Sequence, residues 1–291
     1  MKKHQIVTEL GGGYNSSEHE LENCNFVKTV LMLLVILYHC CVFWKGNWFD
    51  GAEVAIKSEA IRAFAEWLNS FHVYAFVLVS GYVYSYLKHE RKRYTQFGPY
   101  IAGKIRRLIV PYCFIAIIWV IPITCYMVRY EWKIIVFKFL LGTAPSQLWF
   151  LLMLFWCYFI AYHVTNYISN DWYALILTVL FFAIGTLGNQ ATQNYFQIWS
   201  GFAFFPFFIL GMKLRQGKWR IIRRLPVWLS IVLHTMLFAI WYMIPSGKVA
   251  YTAIRILVGF ALHYIGAIMA FYGLQWVGSK MSGKIHLFTE H

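Results

Sequence analysis

Runs of mostly apolar residues, each close to the roughly 20 that cross a bilayer as a helix, recur eight times along this chain. They lie at 27–44, 71–87, 108–128, 148–168, 172–188, 198–212, 226–244 and 252–276, and the sixth is the weakest because it is short. The runs are apolar on all faces and contain Gly and Pro, which favours helices over membrane strands, whose residues alternate polar and apolar. The pattern predicts an all-α polytopic transmembrane helical bundle of about eight spans. A polar segment, 1–24, precedes the membrane domain, 25–278, and a short tail, 279–291, follows it.

Composition agrees with that reading. Of the 291 residues 60% are apolar, 20% aromatic and only 13% charged, where a soluble domain carries about twice that charge. A soluble enzyme, a disordered chain and a coiled coil are excluded. Lys and Arg outnumber Asp and Glu by 26 to 12, a formal net charge of +14. No nucleic-acid partner is expected, because cytoplasmic loops of membrane proteins collect basic residues by topology alone.

The distribution of those residues sets an orientation. Lys88, Arg91, Lys92, Arg93, Lys104, Arg106 and Arg107 fall in one connection, and Lys213, Arg215, Lys218, Arg220, Arg223 and Arg224 in another, so two loops hold half of the cations. With a cytoplasmic N-terminus and eight spans both loops lie inside, while 189–197 and 245–251 lie outside with only Lys248 between them. The expected location is the cytoplasmic (inner) cell membrane. The longest outer connection, 45–70, is nearly neutral and carries an apolar side. It reads as an interfacial amphipathic helix or as a cap over an outward-facing site.

Six cysteines show no C-x-x-C pair, so neither a disulfide framework nor a zinc site is suggested. The polar first 22 residues lack the pattern of a cleaved signal peptide. Chemistry must then reside in intramembrane or loop residues.

Ionisable groups within spans are costly and mark functional positions. Lys28 and His39 are eleven residues apart in the first span. At about 100° and 1.5 Å per residue they share one helix face, roughly 16 Å apart along the axis. Lys28 is a snorkelling anchor or a cavity cation. His39 is an interhelical hydrogen-bonding group or a general base, since imidazole exchanges protons near neutral pH. His72 opens the second span at a similar depth, while Ser80 and Gly81 read as small packing residues. His163, His234 and His263 stand alone in the sequence, and Arg255 lies near the outer end of the last span. No Asp or Glu occupies a predicted span, so no metal site or carboxylate relay is expected.

On the inner side, KIRRLIVPY places Lys104, Arg106 and Arg107 at the entrance of the third span. The cluster is a topological anchor or a grip for a phosphate-bearing ligand. Trp149, in QLWFLLMLF, is an interfacial aromatic or a site residue.

In order, NFVKTVLMLLVILYH, FHVYAFVLVSGY, KIRRLIVPY, QLWFL and FFPFFILGMKL resemble the segments of acyltransferase family 3, integral-membrane acyltransferases that modify sugars, surface glycans and other small acceptors. The resemblance covers residues 25–214. Lys28 stands where the family often has Arg, losing the planar fork, and Gln147 where His is common. Family members have about ten spans, so the chain reads as C-terminally shortened.

The resemblance implies transfer of an acyl group, acetyl by expectation, from acyl-CoA to a hydroxyl of a glycan, glycolipid or related acceptor, with acetyl-CoA as donor substrate and no bound cofactor. His39 and Lys28 take catalytic roles in it. Lys104, Arg106 and Arg107 bind the donor, and His72 and Trp149 contact substrate or the oxyanion. The alternatives are a transporter or flippase for a glycan or anionic solute, which the missing carboxylates and repeats oppose, and an inactive shortened member.

Overall fold

The computed structural model describes residues 23–41, 44, 58–127, 132–143, 146–219, 226–245 and 249–289. The segment 1–22, the connection 45–57 and the cations Arg220, Arg223, Arg224 and Lys248 lie outside the described residues. All regular elements among the described residues are helical. In chain order they are α1 (Asn23–Cys41), α2 (Glu59–Asn69), α3 (His72–Ser85), α4 (Phe97–Tyr126), α5 (Trp132–Leu140), α6 (Trp149–Ile168), α7 (Asp171–Ala191), α8 (Ile198–Arg215), α9 (Val227–Met243) and α10 (Val249–Thr289).

Six of these, α1, α4, α6, α7, α8 with its preceding turn, and α10, are long and apolar enough to cross a membrane. The other two expected spans are shorter. The 14 residues of α3 are prolonged by a π-helical turn, Tyr86–Glu90, and α9 has 17 residues, about 26 Å of helix against a hydrocarbon layer of roughly 30 Å.

Two compact units arise. The first contains α1, α2, the start of α3, α9 and α10; the second contains the end of α3 and α4 through α8. In the first unit α9 packs along α10. Arg255 of α10 donates to the Trp241 and Ile244 carbonyls at 3.0 and 2.5 Å, and its guanidinium lies 4.0 Å from the Trp241 ring centroid. It thereby satisfies the Ile244 carbonyl just past the end of α9 and shares the Trp241 carbonyl, which also accepts from Ile244 N. Within α2, Ser58 caps the N-terminus through Ile61 N, and Arg62 donates to Glu59. That ion pair raises the Arg62 pKa.

In the second unit α8 packs against α6 and α7. The weakest sequence signal thus belongs to the most buried of the six long helices. A helix enclosed by other helices can carry Ser, Gly and Lys that a lipid-facing helix cannot. Gly81 permits the closest approach in this unit, because a Cβ there would lie 2.1 Å from the Phe208 carbonyl oxygen. Gly81 is therefore a packing position, as expected.

The third span differs from expectation. Helix α4 begins at Phe97, so the basic run lies inside the helix rather than before it. At about 1.5 Å per residue its 30 residues reach roughly 45 Å, which leaves its first turns beyond the hydrocarbon. Pi turns at Ile105–Ile109 and Ala116–Val120 each end two residues before a proline, Pro111 and Pro122. Proline lacks the N–H and crowds the carbonyl four residues back, and the wider π turn relieves both faults. The last helix also exceeds expectation: α10 continues through the expected tail to Thr289.

Candidate functional site

In the first unit, α1 is unbroken from Asn23 to Cys41, so Lys28 and His39 keep the shared face and the roughly 16 Å rise. Both are partly buried. Tyr38 links His39 to α3, its ring centroid lying 5.2 Å from the His39 ring and 5.3 Å from that of His72. The structure thus brings His39 and His72 to one aromatic layer.

His72 is 1% exposed, and its Nδ1 lies 2.6 Å from the Leu68 carbonyl oxygen. A carbonyl only accepts, so Nδ1 carries the proton and the neutral ring keeps Nε2 as an acceptor. Such a ring can accept a hydrogen bond from a hydroxyl group. It does not, while neutral, donate to an oxyanion.

Beside this pair is a group that spacing along the chain did not reveal. His234 and His263, which stand alone in the sequence, converge on Ser70. The Ser70 hydroxyl is 3.0 Å from His234 Nε2 and 2.6 Å from the Trp67 carbonyl, and His263 Nδ1 donates to the Ser70 carbonyl at 2.8 Å. The His263 ring stacks on Tyr74 at 4.0 Å, and Trp67 and Phe71 pack edge-on to His234. Gly266 leaves room for this ring, since a Cβ there would lie 2.7 Å from His234 Cδ2. Ser70 and His234 are 164 positions apart. No sequence period could join them.

The second unit holds the expected donor-binding cations, sorted by the π turn. Lys104 is 8% exposed, its ammonium 3.5 Å from the Tyr158 ring centroid and 5.2 and 5.5 Å from those of Tyr94 and Tyr100. These rings hold the cation by their negative faces. Lys104 and Arg107 line a cavity of about 370 Å³ together with Arg93, Tyr94, Thr95 and Tyr100. Arg106 is exposed and is not among its lining residues. The sequence reading therefore missed Arg93 and Tyr94 in this cavity. Burial pushes the Tyr94 phenol up, and Arg107 and Arg93 offset part of that rise, so Tyr94 remains a neutral donor near pH 7.

Two cations at the end of α8 are neutralised. Lys213, fully buried, lies 2.7 Å from Asp171 in the first turn of α7, and Arg215 grips Glu90 with Nε at 2.6 Å and Nη2 at 2.5 Å. The cavity cations Arg93 and Arg107 have no carboxylate among the residues lining the cavity with them. That arrangement suits an anion. Trp149, at the start of α6, packs its ring 5.4 Å from Phe204.

No curated protein and no solved structure matches the chain. The family model for the acyltransferase domain of acyltransferase family 3 matches residues 21–288, which takes in both histidine groups and the basic cavity. The chain therefore belongs to acyltransferase family 3 and is a multi-pass membrane acyltransferase.

Proposed function

We propose that the protein transfers an acetyl group from acetyl-CoA to a hydroxyl of a surface glycan, glycolipid or related acceptor, in the cytoplasmic (inner) cell membrane with its N-terminus inside. The observation that carries this reading is the pairing of His39 with His72 around Tyr38 in a chain of this family.

His39 is the general base. It removes the hydroxyl proton as the acceptor oxygen attacks the thioester carbonyl, then returns that proton to the departing CoA sulfur. His72, with Nδ1–H fixed on the Leu68 carbonyl, accepts a hydrogen bond from the same acceptor and orients it. Lys28 attracts the anionic donor. Arg107 holds donor phosphates from within the basic cavity and Lys104 from its tyrosine cage, while Arg106, at the exposed helix surface, adds only a weaker, screened attraction to the same anion. Trp149 contacts substrate.

The test is acetyl-CoA turnover by purified protein. Replacing His39 by Ala is expected to lower turnover by about 10²–10⁴-fold while membrane insertion stays intact. Retention of more than half the native rate would overturn the assignment.

A further inference from the structure

A cavity of about 800 Å³ opens in the second unit between α5, the C-terminal end of α7 and the turn that leads into α8. Its size is in the range of ligand sites, ~300–1,000 Å³. Lys133 and Lys138, both exposed, line it, and no Asp or Glu is among its lining residues. The amides of Asn189 and Gln193 and the half-exposed ring of Tyr195 add to the polar part of the wall, with Thr143, Thr192 and Asn194. Each amide offers both donors and an acceptor, which matches neighbouring sugar hydroxyls, and a phenol ring offers a flat face to a sugar ring.

Behind the wall, the turn into α8 is tied to the chain that follows α5. Phe196 N donates to the Leu141 carbonyl at 2.7 Å, the Gln197 amide to the Gly142 carbonyl at 2.8 Å, and the Trp156 indole to the Phe196 carbonyl at 2.9 Å. Asn194 accepts from Trp199 N and donates to Gln197 and Ser200. Phe196 and Gln197, which directly follow the lining residues Asn194 and Tyr195, hold φ of 51° and 57°, left-handed values that residues with side chains rarely adopt and that persist only where surroundings over-determine them. A rigid wall loses little freedom when a ligand binds.

We propose that this cavity binds an acidic glycan, an oligosaccharide carrying carboxylate or phosphate groups, with Lys133 and Lys138 on its charges and Asn189 and Gln193 on its hydroxyls. The assignment rests on the proposed acyl transfer to a glycan and names the acceptor class. In the proposed orientation the cavity lies on the outer side of the membrane, where surface glycans are found. The linker 189–197 and α5 then form an acceptor platform.

Calorimetric titration of the full chain in uncharged detergent with trigalacturonic acid tests this, with maltotriose as neutral control. The acid is expected to bind more tightly than the neutral sugar, and Lys133→Gln with Lys138→Gln to weaken it about tenfold. Lys133→Arg with Lys138→Arg is expected to retain binding, and unchanged thermal unfolding shows that the Gln variant is folded. Equal affinity for the two sugars, no binding of the acid, or an undiminished Gln variant would overturn the proposal. So would displacement of the acid by short-chain phosphatidylglycerol at equal concentration, which would mark a lipid-headgroup site. His39→Ala is expected to bind the acid as the native chain does. Failed binding with His39-dependent turnover intact sinks only this inference, whereas His39-independent turnover sinks the transfer reading and leaves the binding result standing.

Discussion

At His72 one short hydrogen bond decides what the ring can do. With Nδ1–H committed to the Leu68 carbonyl, Nε2 is the atom that orients the hydroxyl in the proposed reaction, and His72→Gln, which offers an amide in its place, is expected to raise the acceptor KM more than it lowers kcat. An equal loss in kcat and kcat/KM would instead give His72 a transition-state role. The same resolution applies to the basic run. Arg107 and Arg93 line the cavity and Arg106 does not, so Arg93→Ala or Arg107→Ala is expected to raise the donor KM about tenfold, the scale of a lost charge-assisted bond. Arg106→Ala is expected to change it less than threefold. Donor titrations of the three variants decide this. Sequence reading found the cations of KIRRLIVPY, yet it could not tell Arg106 from Arg107, because that difference depends on which side of α4 faces the cavity. Arg93 escaped notice as an ordinary loop charge.

At the element scale, α4 shows how a local chemical fault positions a site. Pro111 removes one helical hydrogen bond, the π turn at Ile105–Ile109 absorbs the mismatch, and the register of the cations shifts with it. Pro111→Ala restores the missing N–H. The variant is expected to fold, to unfold at a temperature no lower than the native chain, and to bind donor more weakly because Arg107 rotates away from the cavity. An unchanged donor KM would show that the π turn does not set Arg107. Close helix packing makes its own prediction: Gly81→Ala forces a Cβ to within 2.1 Å of the Phe208 carbonyl and is expected to destabilise the protein by ~1–3 kcal/mol, the usual cost of overpacking, read as a lower unfolding temperature in detergent. The eight apolar segments were legible because length and apolarity are local properties. The extent of α4 and α10, the short helix α5 and the burial of α8 were not, since each depends on what the helix packs against.

Across the whole molecule, charge placement makes the remaining test. In a background with the six native cysteines replaced, a cysteine introduced at Gln193 is expected to react with a membrane-impermeant maleimide in intact cells, and one at Thr95 only after permeabilisation. The reverse pattern would invert the orientation and remove the acceptor platform from the outer side. Some of the basic residues that suggested this topology are paired within the fold, Lys213 with Asp171 and Arg215 with Glu90. Arg93, Arg107 and the caged Lys104 instead face the cavity.

By itself the sequence determined the class, the apolar segments, the shared face of Lys28 and His39, and the family, because each is carried by composition, by helical period or by short motifs in order. The tertiary structure alone decided the meeting of Ser70 with His234 and His263, the tyrosine cage around Lys104 and the polar cavity beside α5. Those contacts reach from a few positions, as between Tyr100 and Lys104, to nearly two hundred, as between Ser70 and His263. A bilayer dictates which segments are apolar, whereas only side-chain packing between helices dictates which polar groups come to face one another.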